Sequence, residues 1–211
     1  MIKCVIFDFD GTLVDSNDIK RQKFYEVTKN YIGANKILDK VFLSSKNRDR
    51  NNIFKLLGRC LSKEKNTINI DGLCETYTKI CEYEVSRAQE MHGAISTIRD
   101  LRKLGLLTII SSATPEKTLN KIIQMKGWEP LFDLILGSPS SKTSHINRIL
   151  IQNSLKAYEV VYVGDSEIDR VAALAQGCHF VGIGEDSSRF KIPPQTIKKS
   201  FQGFTEYILQ F

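Results

Sequence analysis

The sequence predicts an α/β fold, namely a doubly wound, Rossmann-like parallel sheet with a small all-helical domain inserted after its first strand. Three observations lead to this prediction. Short apolar, β-branched runs alternate with helical patterns along much of the chain. Residues 16–87 show apolar residues at helical spacing and no run typical of a strand. Polar residues that suit a binding site follow several of the apolar runs directly.

The first strand is predicted at Cys4 to Phe7, an apolar run that ends in two aspartates one residue apart. Side chains two residues apart in an extended chain point the same way, so Asp8 and Asp10 are expected to converge beyond the strand. Two such carboxylates repel each other unless one is protonated or a cation lies between them. Mg²⁺ suits this position because it takes oxygen ligands, and an aspartate can attack phosphorus as a nucleophile. The alternative is a strand end capped by polar turn residues.

The inserted residues, 16–87, are predicted to form a small helical bundle that divides the core domain into residues 1–15 and 88–211. Apolar residues recur at helical spacing in three segments, around Phe24–Tyr31, Ile53–Leu61 and Leu73–Glu84. The predicted breaks between these helices are Gly33, Gly58 and the 63–69 stretch.

Two further strand ends carry residues that suit an anion. Ser111 and Ser112 follow a predicted strand at 106–110 and lead into a helix, where hydroxyls, free backbone N–H groups and the helix dipole favour negative charge. An ordinary helix cap is the alternative reading of these serines. Lys142 opens a helix after a predicted strand at 132–137. Taken alone, such a lysine is most often a solvated side chain.

Another aspartate lies at the end of the predicted fourth strand, residues 159–163. Gly164 permits close approach of the backbone there, Asp165 follows it, and Asp169 lies one helical turn further on the same face. Helix capping is the alternative explanation of this pattern. The chain is predicted to end with a fifth strand at 178–183 and an amphipathic helix from Ile197 to Leu209.

Composition and charge are those of an ordinary globular protein. The 211 residues are 42% hydrophobic and 26% charged, and the net charge of +6 is spread along the sequence. Because no block of Lys and Arg occurs, we expect no nucleic-acid partner. No apolar run reaches the roughly 18 residues that a membrane span requires. Because the predicted first strand begins at Cys4, we expect no signal peptide.

The five cysteines are odd in number and show no Cys-x-x-Cys spacing, which indicates free thiols in a reducing compartment. We therefore expect a cytoplasmic protein. His92, His145 and His179 show no spacing typical of a metal site, so we expect them on the surface or in packing roles.

The segment Asp8-Phe9-Asp10-Gly11-Thr12-Leu13-Val14-Asp15-Ser16 closely resembles the first motif of the haloacid dehalogenase-like hydrolases. Gly164-Asp165-Ser166-x-x-Asp169 matches the fourth motif of that family. Ser111 and Lys142 stand where its second and third motifs carry a hydroxyl and a lysine. The resemblance covers essentially the whole chain and is to the phosphoglycolate phosphatase and β-phosphoglucomutase-like branch, which has a helical cap.

This resemblance implies roles for the residues of the site. Asp8 is the implied nucleophile, and Asp10 is the implied general acid and base. Mg²⁺ is implied to bind Asp8, the main-chain carbonyl of Asp10, and Asp165. Asp169 is implied to hold a metal-bound water or the lysine. The implied phosphate-binding residues are Ser111, Ser112 and Lys142, and the supporting residues are Gly164 and Ser166.

The chain departs from the family pattern at two positions. Ser112 replaces a common Asn, and Thr143 replaces a common Pro. The resemblance further implies that the helical domain is a mobile cap that selects the substrate, with Arg48 or Arg50 directed at the ligand. Ordinary surface arginines are the alternative for these two residues.

Together these roles predict a Mg²⁺-dependent phosphatase that hydrolyses a small phosphate monoester through an aspartyl-phosphate. The alternatives are a phosphosugar mutase of the β-phosphoglucomutase type and, with less support, a non-catalytic binder of a phosphorylated ligand. We expect a monomer or homodimer whose partner is a small phosphorylated metabolite, with no nucleic acid and no membrane.

Overall fold

The computed structural model describes residues 1–44, 50–61, 68–184, 187–194 and 196–211. Within them a six-stranded sheet, parallel throughout, has the order β3-β2-β1-β4-β5-β6. This confirms the predicted α/β fold with a parallel sheet, and it places the first strand in the interior of that sheet. The strands are β1 Cys4–Phe7, β2 Leu107–Pro115, β3 Leu134–Ser138, β4 Val160–Gly164, β5 His179–Ile183 and β6 Ile197–Lys198.

The helices of the described segments are α1 Asn17–Thr28, α2 Ala34–Ser44, α3 Arg50–Leu61, α4 Ile70–Arg87, α5 Ala94–Lys103, α6 Glu116–Met125, α7 Lys142–Gln152, α8 Glu167–Ala175 and α9 Phe204–Ile208. Contacts divide the chain into a sheet unit, Met1–Ser16 with Ala88–Phe211, and a helical unit, Asn17–Arg87. None of the helices in the described part of the chain combines the length and the apolar character needed to cross a membrane.

Strand β1 is fully buried because helices cover both faces of the sheet. Cys4 and Ile6 belong to a core cluster that includes residues of α7 and α8. Phe7, which points to the opposite face, lies with its ring centroid 6.1 Å from that of Phe201. A strand without a solvated face needs the continuous apolar run that the sequence has at this position.

Two parts of the sheet differ from the prediction. Strand β2 continues through Pro115 instead of ending at residue 110, and its pairing with β3 shifts between Ser111 and Pro115. Ile197, predicted to begin a helix, instead pairs with Gly182 in β6. Gly182 accommodates this packing, since a Cβ atom there would lie 3.1 Å from Pro194 and 3.2 Å from Ile197. A two-residue strand is too short to show a period in the sequence.

The described part of the helical unit contains α1 to α4, one helix more than the three predicted. Helix α2 had not been predicted, although its buried residues, Ala34, Leu38, Val41 and Phe42, follow helical spacing. Gly58 was wrongly predicted as a break, because it lies inside α3. A Cβ atom at Gly58 would lie 3.0 Å from Ile70 of α4, so the glycine permits close packing of two helices.

Candidate active site

Four charged side chains lie buried near the carboxyl ends of β1 and β4. Asp8 follows β1 directly, and its backbone N–H donates to the Val163 carbonyl of β4 at 2.8 Å. Asp165 follows β4, Lys142 is the first residue of α7, and Asp169 lies in the first turn of α8. Their exposed fractions are 5% for Asp8 and Asp165, 8% for Lys142 and 0% for Asp169. Parallel strands present their carboxyl ends at one edge, which is where open α/β sheets bind ligands.

Lys142 joins two of the carboxylates. Its Nζ atom lies 2.7 Å from Asp8 Oδ1 and 2.5 Å from Asp169 Oδ1. Burial alone would lower the pKa of Lys142, but the charges of Asp169 and Asp8 raise it well above its ordinary value. The lysine is therefore a buried ammonium ion held between two carboxylates.

Asp169 is fixed by its own helix end. Its Oδ2 atom accepts hydrogen bonds from the Ser166 backbone N–H at 3.2 Å and from the Ser166 hydroxyl at 2.5 Å. Ser166 is the N-cap of α8, so the two residues form a capping box. Gly164 is needed beside them, because a Cβ atom there would lie 2.4 Å from Cβ and Cγ of Asp169.

The carboxylates of Asp8, Asp165 and Asp169 could share a cation, since one ligand oxygen of each lies within 4.8 Å of the others. Burial raises the pKa of Asp8 well above its ordinary value, and Asp169 and Asp165 add to this against the opposing charge of Lys142. Asp165 is also paired with the guanidinium group of Arg189. Closely spaced, buried oxygen donors suit a hard divalent cation, which would relieve the repulsion among them.

Asp10 is placed differently from these three carboxylates. Its Oδ1 atom accepts a hydrogen bond from the Ser16 hydroxyl at 2.7 Å, and its Oδ2 atom accepts one from the Thr114 hydroxyl at 2.8 Å. The side chain is only partly buried. Its carboxylate is thus oriented by two hydroxyl donors and lies outside the cluster of Asp8, Asp165 and Asp169.

Ser111 and Ser112 are both buried at the end of β2. The Ser111 hydroxyl oxygen lies 2.9 Å from His145 Nδ1, and the Ser111 carbonyl accepts a hydrogen bond from the Tyr162 hydroxyl at 3.0 Å. The Ser112 hydroxyl oxygen accepts the backbone N–H of Thr114 at 3.0 Å. Ser112 therefore shapes the local backbone, whereas Ser111 belongs to a side-chain network.

The two arginines predicted for ligand contact have different outcomes. Arg48 lies outside the described residues. Arg50 begins α3, and its Nη1 atom donates to Thr78 Oγ1 at 2.8 Å. In the segments that the structure describes, its buried Nε atom has no hydrogen-bond partner. Arg50 is thus held within the helical unit by a neighbouring helix.

Several residues that contact the site were not predicted from the sequence, namely Ser16, Thr114, His145, Tyr162 and Arg189. His145, expected on the surface or in packing, is buried and hydrogen-bonded to Ser111. Its position three residues after Lys142 on α7 puts both on one helix face, which is a signal that the sequence does contain. The pairing of Thr114 with Asp10 spans 104 residues and has no such signal.

Comparison with known proteins is consistent with this geometry. A family model described as haloacid dehalogenase-like hydrolase matches residues 5–183. A phosphoglycolate phosphatase of Rhodobacter capsulatus is 26% identical over 196 residues, which cover 86% of this chain and 84% of the relative. A glyceraldehyde 3-phosphate phosphatase of Methanocaldococcus jannaschii is 28% identical over 182 residues, which cover 78% and 77% of the two chains.

Solved structures show the same fold. A protein described as a predicted phosphoglycolate phosphatase from Haemophilus somnus 129pt superposes with a TM-score of 0.75. The match covers 98% of this chain and 97% of the other, at 20% identity. At that identity the likeness concerns the fold and does not by itself transfer a substrate.

Proposed function

Because the chain belongs to the haloacid dehalogenase-like hydrolase family, we propose that it is a phosphatase of small phosphate monoesters that works through an aspartyl-phosphate on Asp8. One observation carries the proposal. Asp8 is a buried carboxylate with a lysine ammonium 2.7 Å away and two further carboxylates close enough to share a cation. The names of the two curated relatives, both phosphatases, support the same reaction class.

In this proposal Asp8 attacks the phosphorus atom, and the ester oxygen leaves as an alkoxide. Lys142 orients the Asp8 carboxylate and offsets the negative charge that gathers on the phosphoryl oxygens. Asp169 keeps Lys142 in place through the 2.5 Å contact. The residues fit Mg²⁺, which Asp8, Asp165 and the main-chain carbonyl of Asp10 would hold and which would supply positive charge beside the transferred group.

Asp10 is the proposed general acid and base. Its protonated carboxyl group donates a proton to the leaving alkoxide, and the resulting carboxylate then takes a proton from the water that hydrolyses the aspartyl-phosphate. The hydroxyls of Ser16 and Thr114 orient this carboxyl group from two sides. After one turnover, Asp8 is again a carboxylate, Asp10 is again protonated, and phosphate and alcohol have been formed.

Ser111 is the proposed hydroxyl contact of the phosphoryl group, and Ser112 shapes the segment beside it. We propose that the helical unit, 17–87, acts as the substrate-selecting cap, and that Arg50 or Arg48 contributes to that selection. The Nε atom of Arg50 is buried and finds no hydrogen-bond partner among the described residues, which supports a polar role for this arginine. Five free cysteines support the proposed cytoplasmic setting.

The test is release of inorganic phosphate from a panel of monoesters, with and without Mg²⁺, by the wild type and by Asp8→Asn. The panel includes phosphoglycolate and glyceraldehyde 3-phosphate because relatives carry these names. We expect Mg²⁺-dependent turnover that Asp8→Asn abolishes and that the matched surface variant Asp100→Asn retains.

Turnover that survives in Asp8→Asn would disprove the aspartyl-phosphate mechanism. A wild type that releases no phosphate but moves a phosphoryl group between two positions of a sugar would support the mutase alternative. A folded protein that binds phosphate esters without either reaction would indicate a binder.

A further inference from the structure

His145 is a buried histidine whose two ring nitrogens both have hydrogen-bond partners. It is 2% exposed and lies one turn after Lys142 on α7. Its Nδ1 atom lies 2.9 Å from Ser111 Oγ, and its Nε2 atom lies 3.2 Å from the Gly137 carbonyl oxygen of β3. A carbonyl oxygen only accepts hydrogen bonds, so Nε2 carries a hydrogen.

The proton on Nε2 determines what the Ser111 hydroxyl does. In a neutral ring Nδ1 has no hydrogen, so the Ser111 hydroxyl must donate to it. The serine oxygen then presents only lone pairs to a ligand, which disfavours an anion. In a protonated ring Nδ1–H donates to Ser111 Oγ instead, and the hydroxyl hydrogen is released to donate to a phosphoryl oxygen.

The surroundings of His145 favour the neutral ring when no anion is present. Burial lowers the pKa of His145, and the positive charges of Lys142 and Arg148 on α7 act in the same direction. The Gly137 carbonyl and the carboxylate of Glu116 on α6 oppose this but do not outweigh it. A phosphoryl group beside Ser111 would add negative charge and favour the protonated ring.

We propose that His145 is a positioning residue that takes up a proton when a phosphoryl group binds and thereby converts Ser111 into a hydrogen-bond donor to that group. This rests on the proposed function, because it takes Ser111 as a phosphate contact. The proton comes from solvent to Nδ1 and returns when phosphate leaves, so no bond to phosphorus is involved. Coupling between two binding events is reciprocal. A proton on His145 therefore increases the affinity for the anion by the same factor by which the bound anion increases the affinity of His145 for the proton.

The first measurement follows the ring resonances of the three histidines by NMR as pH is varied, with and without saturating sulfate. Sulfate is used because its charge does not change between pH 5 and 9. We expect sulfate to raise the titration midpoint of His145 by about one pH unit or more, which corresponds to a tenfold tighter binding of sulfate to the protonated form. In Ser111→Ala the rise should be clearly smaller. An unmoved midpoint, or an equal rise in Ser111→Ala, would overturn the proposal.

The second measurement is the dissociation constant of sulfate, from competition with substrate, as a function of pH. Uptake of one proton makes this constant rise as the pH passes from the His145 midpoint of the free protein to that of the sulfate complex, by about tenfold in total for a shift of one pH unit. His145→Gln should lose this dependence, whereas His179→Gln should keep it. His179 is the matched control because it lies at the amino end of β5 and bonds the Tyr158 carbonyl.

An unchanged pH dependence in His145→Gln would overturn the role of His145 and leave the proposed phosphatase intact. Sulfate that does not compete with substrate at any pH would overturn the phosphate site itself, and with it both proposals. The NMR titration uses wild-type His145, so the test does not depend on the folding of His145→Gln.

Discussion

Replacing Lys142 with methionine removes the cation that Asp8 and Asp169 share. Methionine has nearly the same length, so the change removes charge and little volume. Both ion pairs are buried, at 2.7 and 2.5 Å, with 8% or less of each side chain exposed. Breaking a buried ion pair by removal of one partner costs about 3–5 kcal/mol, because the remaining charge is left uncompensated. We expect a loss of that size in the free energy of unfolding at pH 7.5.

The sign of the pH dependence follows from the carboxylates that remain. Burial already raises the pKa of Asp8, and loss of Lys142 raises it further. A carboxyl group whose pKa is higher in the folded than in the unfolded protein binds more protons when folded, so stability increases as the pH falls through the folded pKa. The loss of unfolding free energy in Lys142→Met, relative to the wild type, should therefore be smaller at pH 5.5 than at pH 7.5.

The assay is urea unfolding followed by the fluorescence of Trp128, which is the only tryptophan of the chain and lies in the sheet unit. The control is Lys103→Met, since Lys103 pairs with Asp100 at 2.8 Å with 75% of its side chain exposed. Exposed pairs of this kind contribute about 0–1 kcal/mol. The reasoning is refuted if Lys142→Met costs no more than this control, or if its deficit is the same at both pH values.

Three further predictions concern Gly164, Asp10 and two of the cysteines. In Gly164→Ala the new Cβ atom would lie 2.4 Å from Asp169. The variant should lower the unfolding free energy by about 1–3 kcal/mol and reduce phosphate release. If neither quantity changes, Gly164 is not required for the close packing against Asp169. Asp10→Asn should slow the first turnover of alkyl phosphates by about a hundredfold or more, measured by rapid quench. It should slow the hydrolysis of 4-nitrophenyl phosphate less, because 4-nitrophenolate leaves without needing a proton. Equal rate losses for the two kinds of substrate would exclude Asp10 as the general acid. Iodoacetamide at pH 8 should label the exposed Cys60 well before the buried Cys178, because burial raises the pKa of Cys178 to about 11. Equal rates of labelling, followed by peptide mass analysis, would be incompatible with the burial of Cys178.

The placement of Asp8 and Asp165 beyond two strands could be predicted because it depends on chain order alone. Both follow short apolar, β-branched runs that are typical of buried strands, and parallel strands end at one edge. Lys142 and Asp169 were assigned through the family resemblance, and the structure adds their 2.5 Å contact.

The partners of the site residues could not be predicted in the same way. Thr114 donates a hydrogen bond to Asp10 from the end of β2, where the pairing of β2 with β3 shifts in register. A register shift produces no periodic pattern of residues, so it cannot be predicted from the sequence. Helix α2 and strand β6 were missed as well. Helix α2 does show a helical pattern of apolar residues, whereas β6 is too short to show any pattern.

The order of apolar runs and polar strand ends by itself determined the α/β class and the edge at which the charged residues gather. The spacing of apolar residues and the parallel pairing of strands are properties of whole helices and strands. They predict the fold class even when the predicted ends of an element are wrong by a residue or two. Only the tertiary structure decided that His145 bonds Ser111 and that two hydroxyls orient Asp10. A hydrogen bond forms or fails within a few tenths of an ångström, and that precision arises from the packing of helices against the sheet.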